Sequence, residues 1–162
     1  MKIIRWGMLF AMTITVLSAT HLRADTTVSN TNSGWIISDG TVQTNNKTYS
    51  SGWMYNEQFD NYFTFDLSGV TGTVTGATFD VESAAIVGTG TYSVYSTSLT
   101  PTGVVAGGVP NYNALTSGTL IGSIALDPTY DSELLGISLN SAGQTWLQAN
   151  EGNQIVLGGG LH

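Results

Sequence analysis

From Phe59 to Gly69 the chain alternates without a break: Phe59-Asp60-Asn61-Tyr62-Phe63-Thr64-Phe65-Asp66-Leu67-Ser68-Gly69. Phe59, Asn61, Phe63, Phe65 and Leu67 fall on one side, and Asp60, Tyr62, Thr64 and Asp66 on the other. A period of two is the mark of a strand with one buried face. Each Phe ring removes roughly 150–250 Å² from water when enclosed. Three of them on one face predict a central core strand whose Asp60–Asp66 side faces solvent.

The rest of the sequence supplies partners for that strand. Asp25–Ser33 reads as an edge or loosely held strand. Gly34–Ser38 is a short strand stopped by the turn pair Asp39-Gly40. Thr41–Lys47 is a loop with Asn45-Asn46 at its tip, and Thr48–Trp53 a further short strand. Val74–Glu82 alternates again, with Ala77, Phe79 and Val81 inward, and its closeness in sequence predicts antiparallel pairing with the central strand. Thr91–Ser96, Leu120–Leu126, Leu134–Leu139 and Gln154–Leu157 complete the strands. Thr100–Ser117, with Pro101 and Pro110, is a long crossover with a helical turn at Tyr112–Leu115. The period changes after Asn140: Ser141 with Gln144 matches a capping box, and Ala142, Trp146, Leu147 and Ala149 share a helix face. Short strands joined by long crossovers predict an all-β fold, a two-sheet jelly-roll-type sandwich with one short C-terminal helix.

The N-terminus has a different character. Lys2 and Arg5 precede an apolar stretch, Trp6–Leu17, too short to span a bilayer, and Ala24 ends a small-residue cut site. Residues 1–24 therefore read as a secretory signal peptide, with Ala19 as the alternative cut and an uncleaved anchor as the plainer reading. Residues 25–162 form the single expected domain, secreted or at a bacterial cell surface, without a membrane anchor once the signal is removed. The full chain has a net charge of −7. Loss of residues 1–24 leaves Lys47 as the one Lys or Arg against 11 acidic residues, a net charge near −10. One cation cannot neutralise a phosphate backbone, so nucleic acid is excluded as a partner and anionic surfaces are disfavoured. A neutral glycan, an envelope protein and Ca²⁺ stay open. With no Cys, the domain has neither disulfides nor a thiol nucleophile. Asn46-Lys47-Thr48 fits a glycosylation sequon.

Catalysis finds little material. After the cut, the one His is the terminal His162, so a Ser–His–Asp arrangement would rest on a frayed end. Carboxylates for a glycosidase pair exist in Glu57, Asp60, Asp66, Asp80 and Glu82, but strand-face carboxylates ordinarily keep a sheet soluble. No catalytic residue is expected. Asp127, Asp131 and Glu133 gather at one turn and are the candidate ligands of a structural Ca²⁺, the only cofactor considered; a solvated acidic turn is the plainer reading. Sugar stacking needs exposed aromatic faces. Trp53 and Tyr55, on a loop, are the leading candidate ligand-binding residues; Trp35 and Tyr49 are also candidates, with core or edge packing as the alternative. Trp146 is expected to dock the helix.

Gly34-Trp35, Ser38-Asp39-Gly40, Asn46, Tyr49 and Gly52, followed by Asn61–Gly69, Gly72–Thr78, Thr91–Tyr95, Thr97-Ser98-Leu99, Leu139-Asn140 and Gly158-Gly159, resemble a family of exported bacterial proteins that end in a PEP-CTERM sorting tail and have no assigned activity. The Phe63–Gly69 motif is similar to strands of carbohydrate-binding-module-like β-sandwiches too. Thr41-Val42 stand where the family commonly has Phe-His, and Asp60 where it often has Arg; no sorting-tail motif follows Gly160 in this sequence, as expected of either a fragment or a tail-less relative released from the cell. The resemblance implies an exported, non-enzymatic protein of the cell envelope or extracellular matrix that acts by binding or assembly. The second reading is a carbohydrate-binding module for a neutral glycan.

Overall fold

Strands form wherever the alternation is strict. The computed structural model describes residues 3–5, 13–17, 26–44 and 49–161. In chain order these give β1 (Ile3–Arg5), β2 (Thr13–Leu17), β3 (Thr26–Ile37), β4 (Val42–Gln43), β5 (Ser51–Met54), β6 (Glu57–Asp66), β7 (Gly76–Glu82), β8 (Ala85–Val87) and β9 (Gly90–Ser96). Two helices, α1 (Pro101–Val104) and α2 (Val109–Thr116), lead to β10 (Leu120–Leu126). A 3₁₀ turn (Pro128–Tyr130), β11 (Leu134–Ser138), α3 (Ser141–Ala149) and β12 (Gln154–Leu161) follow. The fold is all-β and its strand pairs are antiparallel. No helix among the described residues is long and apolar enough to cross a membrane.

The strands run β10-β9-β12-β6-β3-β2-β7-β11, with β1 bridging β5 and β8. At the ends of that path Gly122 of β10 lies against Ile137 and Leu139, so the sheet curls into a barrel-like form. The predicted pairing of the two Phe-bearing strands does not occur. β6 pairs with β12, β3 and β5, while β7 pairs with β2 and β11. They meet instead face to face: Phe79 lies 5.2 Å from Phe63 and 6.2 Å from Phe65, and Tyr49 stands edge-on to Phe63 at 5.1 Å. Large rings on both strands fill the interior more fully this way than side by side on one surface.

The solvent-facing side predicted for β6 is also corrected. Asp60, Tyr62 and Thr64 are as buried as the Phe side: α1 and α2 pack on Tyr62, Thr116 of α2 reaches Asp60, and the Thr64 hydroxyl pairs with Thr31 and the Asn32 carbonyl of β3. Tyr62 packs with Ile36, Val104, Leu115 and Val156 in a second apolar layer. Helix α1 starts on a Thr100 cap whose Oγ1 accepts from the Gly103 N–H at 3.0 Å, with Pro101 in its first turn. Gly158 of β12 passes directly beneath α2, where a Cβ would be driven into the Leu115 carbonyl oxygen. Gly158→Ala is expected to destabilise the fold by at least about 2 kcal/mol through overpacking. An unchanged urea midpoint would show that α2 is free to move away.

Asp25–Ser33 and Gly34–Ser38 merge into one long strand, β3, whose first half pairs with β2 and second half with β6. Residues 13–17, read as part of a signal peptide, pair with both β3 and β7. The proposed cuts at Ala19 and Ala24, the loop tip and sequon at 45–48, and His162 lie outside the described residues. The cap of α3 falls one residue before the expected Ser141: Asn140 Oδ1 accepts from the Gly143 N–H at 3.0 Å, and Gln144 Nε2 donates to the Leu139 carbonyl.

Candidate functional site

Three segments converge beside α3: the β9–α1 connection, the end of α2 and the start of β12. Between them lie two adjoining cavities of about 280 and 370 Å³. Trp146, Thr97 and Ser98 line both, so the half-buried indole forms a shared wall. Asn150, Asn153 and Gln154 line one side, and Ser117 and Thr119 the other. No charged side chain is among the lining residues of either cavity.

Local chemistry fixes this arrangement. Leu147, one position beyond Trp146, is fully buried and anchors α3 on the main core, which leaves the indole at the boundary. Asn150 closes the helix and its Nδ2 donates to the Trp146 carbonyl at 2.8 Å. Thr97 Oγ1 donates to the Val156 carbonyl at 2.8 Å, tying the β9–α1 connection to β12. Ser98, Ser117, Thr119, Asn153 and Gln154 are exposed. Hydroxyls and amides both donate and accept, so such a wall can pair with a neutral polyol whose ring lies on an indole face. The cavities are of the order of small-molecule clefts, roughly 300–1,000 Å³.

The aromatic residues singled out in the sequence separate into three environments. Trp53 and Tyr55 are 55% and 73% exposed at the β5–β6 hairpin, whose tip is built by Tyr55 and Asn56 at φ 54° and 64°. Two consecutive left-handed residues make the tight turn that matches strand twist. Trp35 is half-buried and packs edge-on against Phe59 at 5.1 Å, beside Ile37 and Met54. Tyr49 is buried and its hydroxyl donates to the Glu82 carbonyl at 2.6 Å, which holds its ring in the core. Trp146, expected from the sequence only to dock the helix, lines both of these cavities.

The candidate Ca²⁺ ligands are not brought together. Asp127 caps the 3₁₀ turn, accepting from the Thr129 hydroxyl and from the Thr129 N–H at 2.8 Å, which together hold its carboxyl below the usual range. Asp131 accepts from the Ile86 N–H, and the Glu133 backbone N–H and carbonyl pair with Ser83. Among the described residues no group of three or more His, Cys, Asp or Glu is placed to hold a metal ion. Asp60 and Asp66 do not form a glycosidase pair either. Asp60 and Asp66 are six residues apart on one strand face, roughly 20 Å, against about 5–9.5 Å for the two carboxyls of a glycosidase.

Asp60 is the unexpected buried acid. It is 1% exposed beneath α2, where Thr116 Oγ1 donates to its Oδ2 at 3.4 Å and Oδ1 has no partner among the described residues. Burial pushes its carboxyl up to about 7, against the opposing hydrogen bonds of Thr116 and Gln58. On the opposite face of β6, Asn61 Oδ1 accepts from the Tyr92 hydroxyl at 2.7 Å.

Comparison with family models, curated proteins and solved structures finds no match.

Proposed function

We propose that this chain is an exported, non-enzymatic cell-envelope or extracellular-matrix protein that acts by binding, and that its ligand is a neutral glycan held in the groove around Trp146. The observation that carries this reading is the pairing of one indole wall with hydroxyl and amide side chains and no charge. Stacking against an indole is indifferent to sugar charge, while a chain of net charge −7 disfavours anionic polymers. The sequence resemblance to exported envelope proteins and to carbohydrate-binding-module-like sandwiches supports the same reading. For the exported form we propose the finer architecture of a two-sheet, jelly-roll-type sandwich, in which the Phe63 and Phe79 faces oppose each other.

The test is retention of the protein on a panel of neutral and acidic polysaccharides, with and without a chelator. Selective retention on a neutral polymer, unaffected by the chelator, is expected. Retention on acidic polymers alone, or loss with the chelator, would contradict it. The exposed pair Trp53 and Tyr55 favours a second reading, in which the hairpin tip holds the ligand or an envelope protein. Under that reading Trp53→Ala removes retention and Trp146→Ala leaves it intact.

A further inference from the structure

The strand β2 occupies a seat with two walls. Thr13, Ile14, Thr15 and Val16 pair antiparallel with Ser29, Val28, Thr27 and Thr26 of β3. The same four residues pair antiparallel with Asp80, Phe79, Thr78 and Ala77 of β7. Ile14 is fully buried in the main core. Thr13 Oγ1 donates to Asp80 Oδ2 at 3.1 Å. Among the described strands, β2 is the one paired with the first half of β3, and it joins β7 and β11 to the rest of the sheet.

We infer that the seat between Thr26–Ser29 and Gly76–Asp80 is a strand-acceptor site, vacated when the leader is removed and filled by an extended segment of a partner protein. The inference rests on the reading of residues 1–24 as a leader cut on export. Loss of β2 would leave two parallel-running edges with unpaired N–H and C=O groups on both sides, a template for an incoming strand. The resident strand specifies the chemistry of the occupant. It needs about five extended residues antiparallel to both walls, an aliphatic side chain at the Ile14 position, and a hydroxyl residue at the Thr13 position to reach Asp80. A charged residue at the inward position would be buried without a partner.

The test uses the full chain. A specific protease site placed between Leu17 and Asp25 is cut only after folding, and the nicked protein is mixed with a fluorescent peptide of residues 12–18. Saturable uptake by the nicked protein and none by the uncut chain is expected. The Ile14→Asp peptide should bind at least about tenfold more weakly. Absence of uptake, or equal uptake of both peptides, would overturn the site. A second readout separates the site from its premise: mass spectrometry of the chain recovered from an exporting bacterium. An N-terminus at or beyond Leu17 leaves the seat vacant, as inferred. An N-terminus that retains Thr13–Leu17 overturns the leader reading, and with it the vacancy, even where the nicked protein takes up peptide.

Discussion

Phe63→Ala is expected to destabilise the protein by about 3–5 kcal/mol, the range for emptying a fully enclosed aromatic site. Phe63 is 0% exposed and lies within ring-contact distance of both Tyr49 and Phe79. The cavity would therefore open between β6 and β7, where the opposite walls of the barrel-like sheet meet. Those walls have limited freedom to collapse, because each ring is also held by its own strand ladder. A loss of this size is a large part of the roughly 5–15 kcal/mol by which a domain is stable, and no disulfide offsets it. Phe59→Ala should cost less. Phe59 belongs to the smaller cluster of Ile37, Met54 and Trp35 near the hairpin. Urea unfolding of the two variants checks the order. Equal losses would contradict the placement of the core between Phe63 and Phe79.

The second large effect is a stability that falls as pH rises from about 4 to about 7. Asp60 holds its proton in the folded state up to about 7, whereas its ordinary value is 3.8. Between those values the folded state binds more protons than the unfolded state, so raising the pH favours unfolding. Across the whole window the Asp60 contribution is on the order of 4 kcal/mol, taking 1.36 kcal/mol per unit. The groups that face this carboxyl are Thr116 and Tyr112 of α2 and Gln58 of its own strand. Tyr112 is itself pushed up to about 12 by burial, and by the nearness of Asp60. Asp39, Asp66 and Asp127 act in the opposite sense. Each accepts hydrogen bonds that hold it below 3.8, chiefly from backbone N–H groups for Asp39 and Asp66 and chiefly from the Thr129 hydroxyl for Asp127, so their contribution is present above that pH and lost as pH falls below it. Stability should therefore peak at roughly pH 4–5. Asp60→Asn should flatten the decline toward pH 7, since the amide has the same shape and no charge to bury. Chemical unfolding at a series of pH values reads both curves. A wild-type profile that is level from pH 5 to 8 would show that Asp60 is hydrated beneath α2.

The inward half of the core was legible in the alternation itself. Phe63, Phe65, Leu67, Phe79 and Val81 are all buried where the period of two places them. Period alone cannot say which strand lies beside which, and β6 and β7 turned out to be opposed rather than paired. Nor does it reveal that a polar-looking face is covered. Asp60 and Thr64 have the pattern of solvated positions, and in the Gly- and Pro-rich crossover only the turn at Tyr112–Leu115, inside α2, is legible as helix, while α1 is not. A signal was present: Val104, Tyr112 and Leu115 need something to pack on, and Tyr62 and Val156 on the sheet supply it. The groove was less legible. Thr97, Ser98, Ser117, Asn153 and Gln154 are ordinary surface types scattered over three segments, and only the fold gathers them around Trp146. The hairpin aromatics Trp53 and Tyr55 were easier to find because one short turn exposes both.

The measurement that bears most directly on a glycan-binding groove is the affinity of Trp146→Ala for the neutral polysaccharide that retains the wild-type protein. Trp53→Ala is measured beside it, with the melting temperature of each variant. Loss of an aromatic stacking platform is expected to weaken binding by at least about tenfold, equivalent to 1.4 kcal/mol. Trp53→Ala should bind as the wild type does, and both variants should stay folded at the assay temperature. Unimpaired binding by folded Trp146→Ala, together with loss of binding in Trp53→Ala, would contradict the groove and move the site to the hairpin.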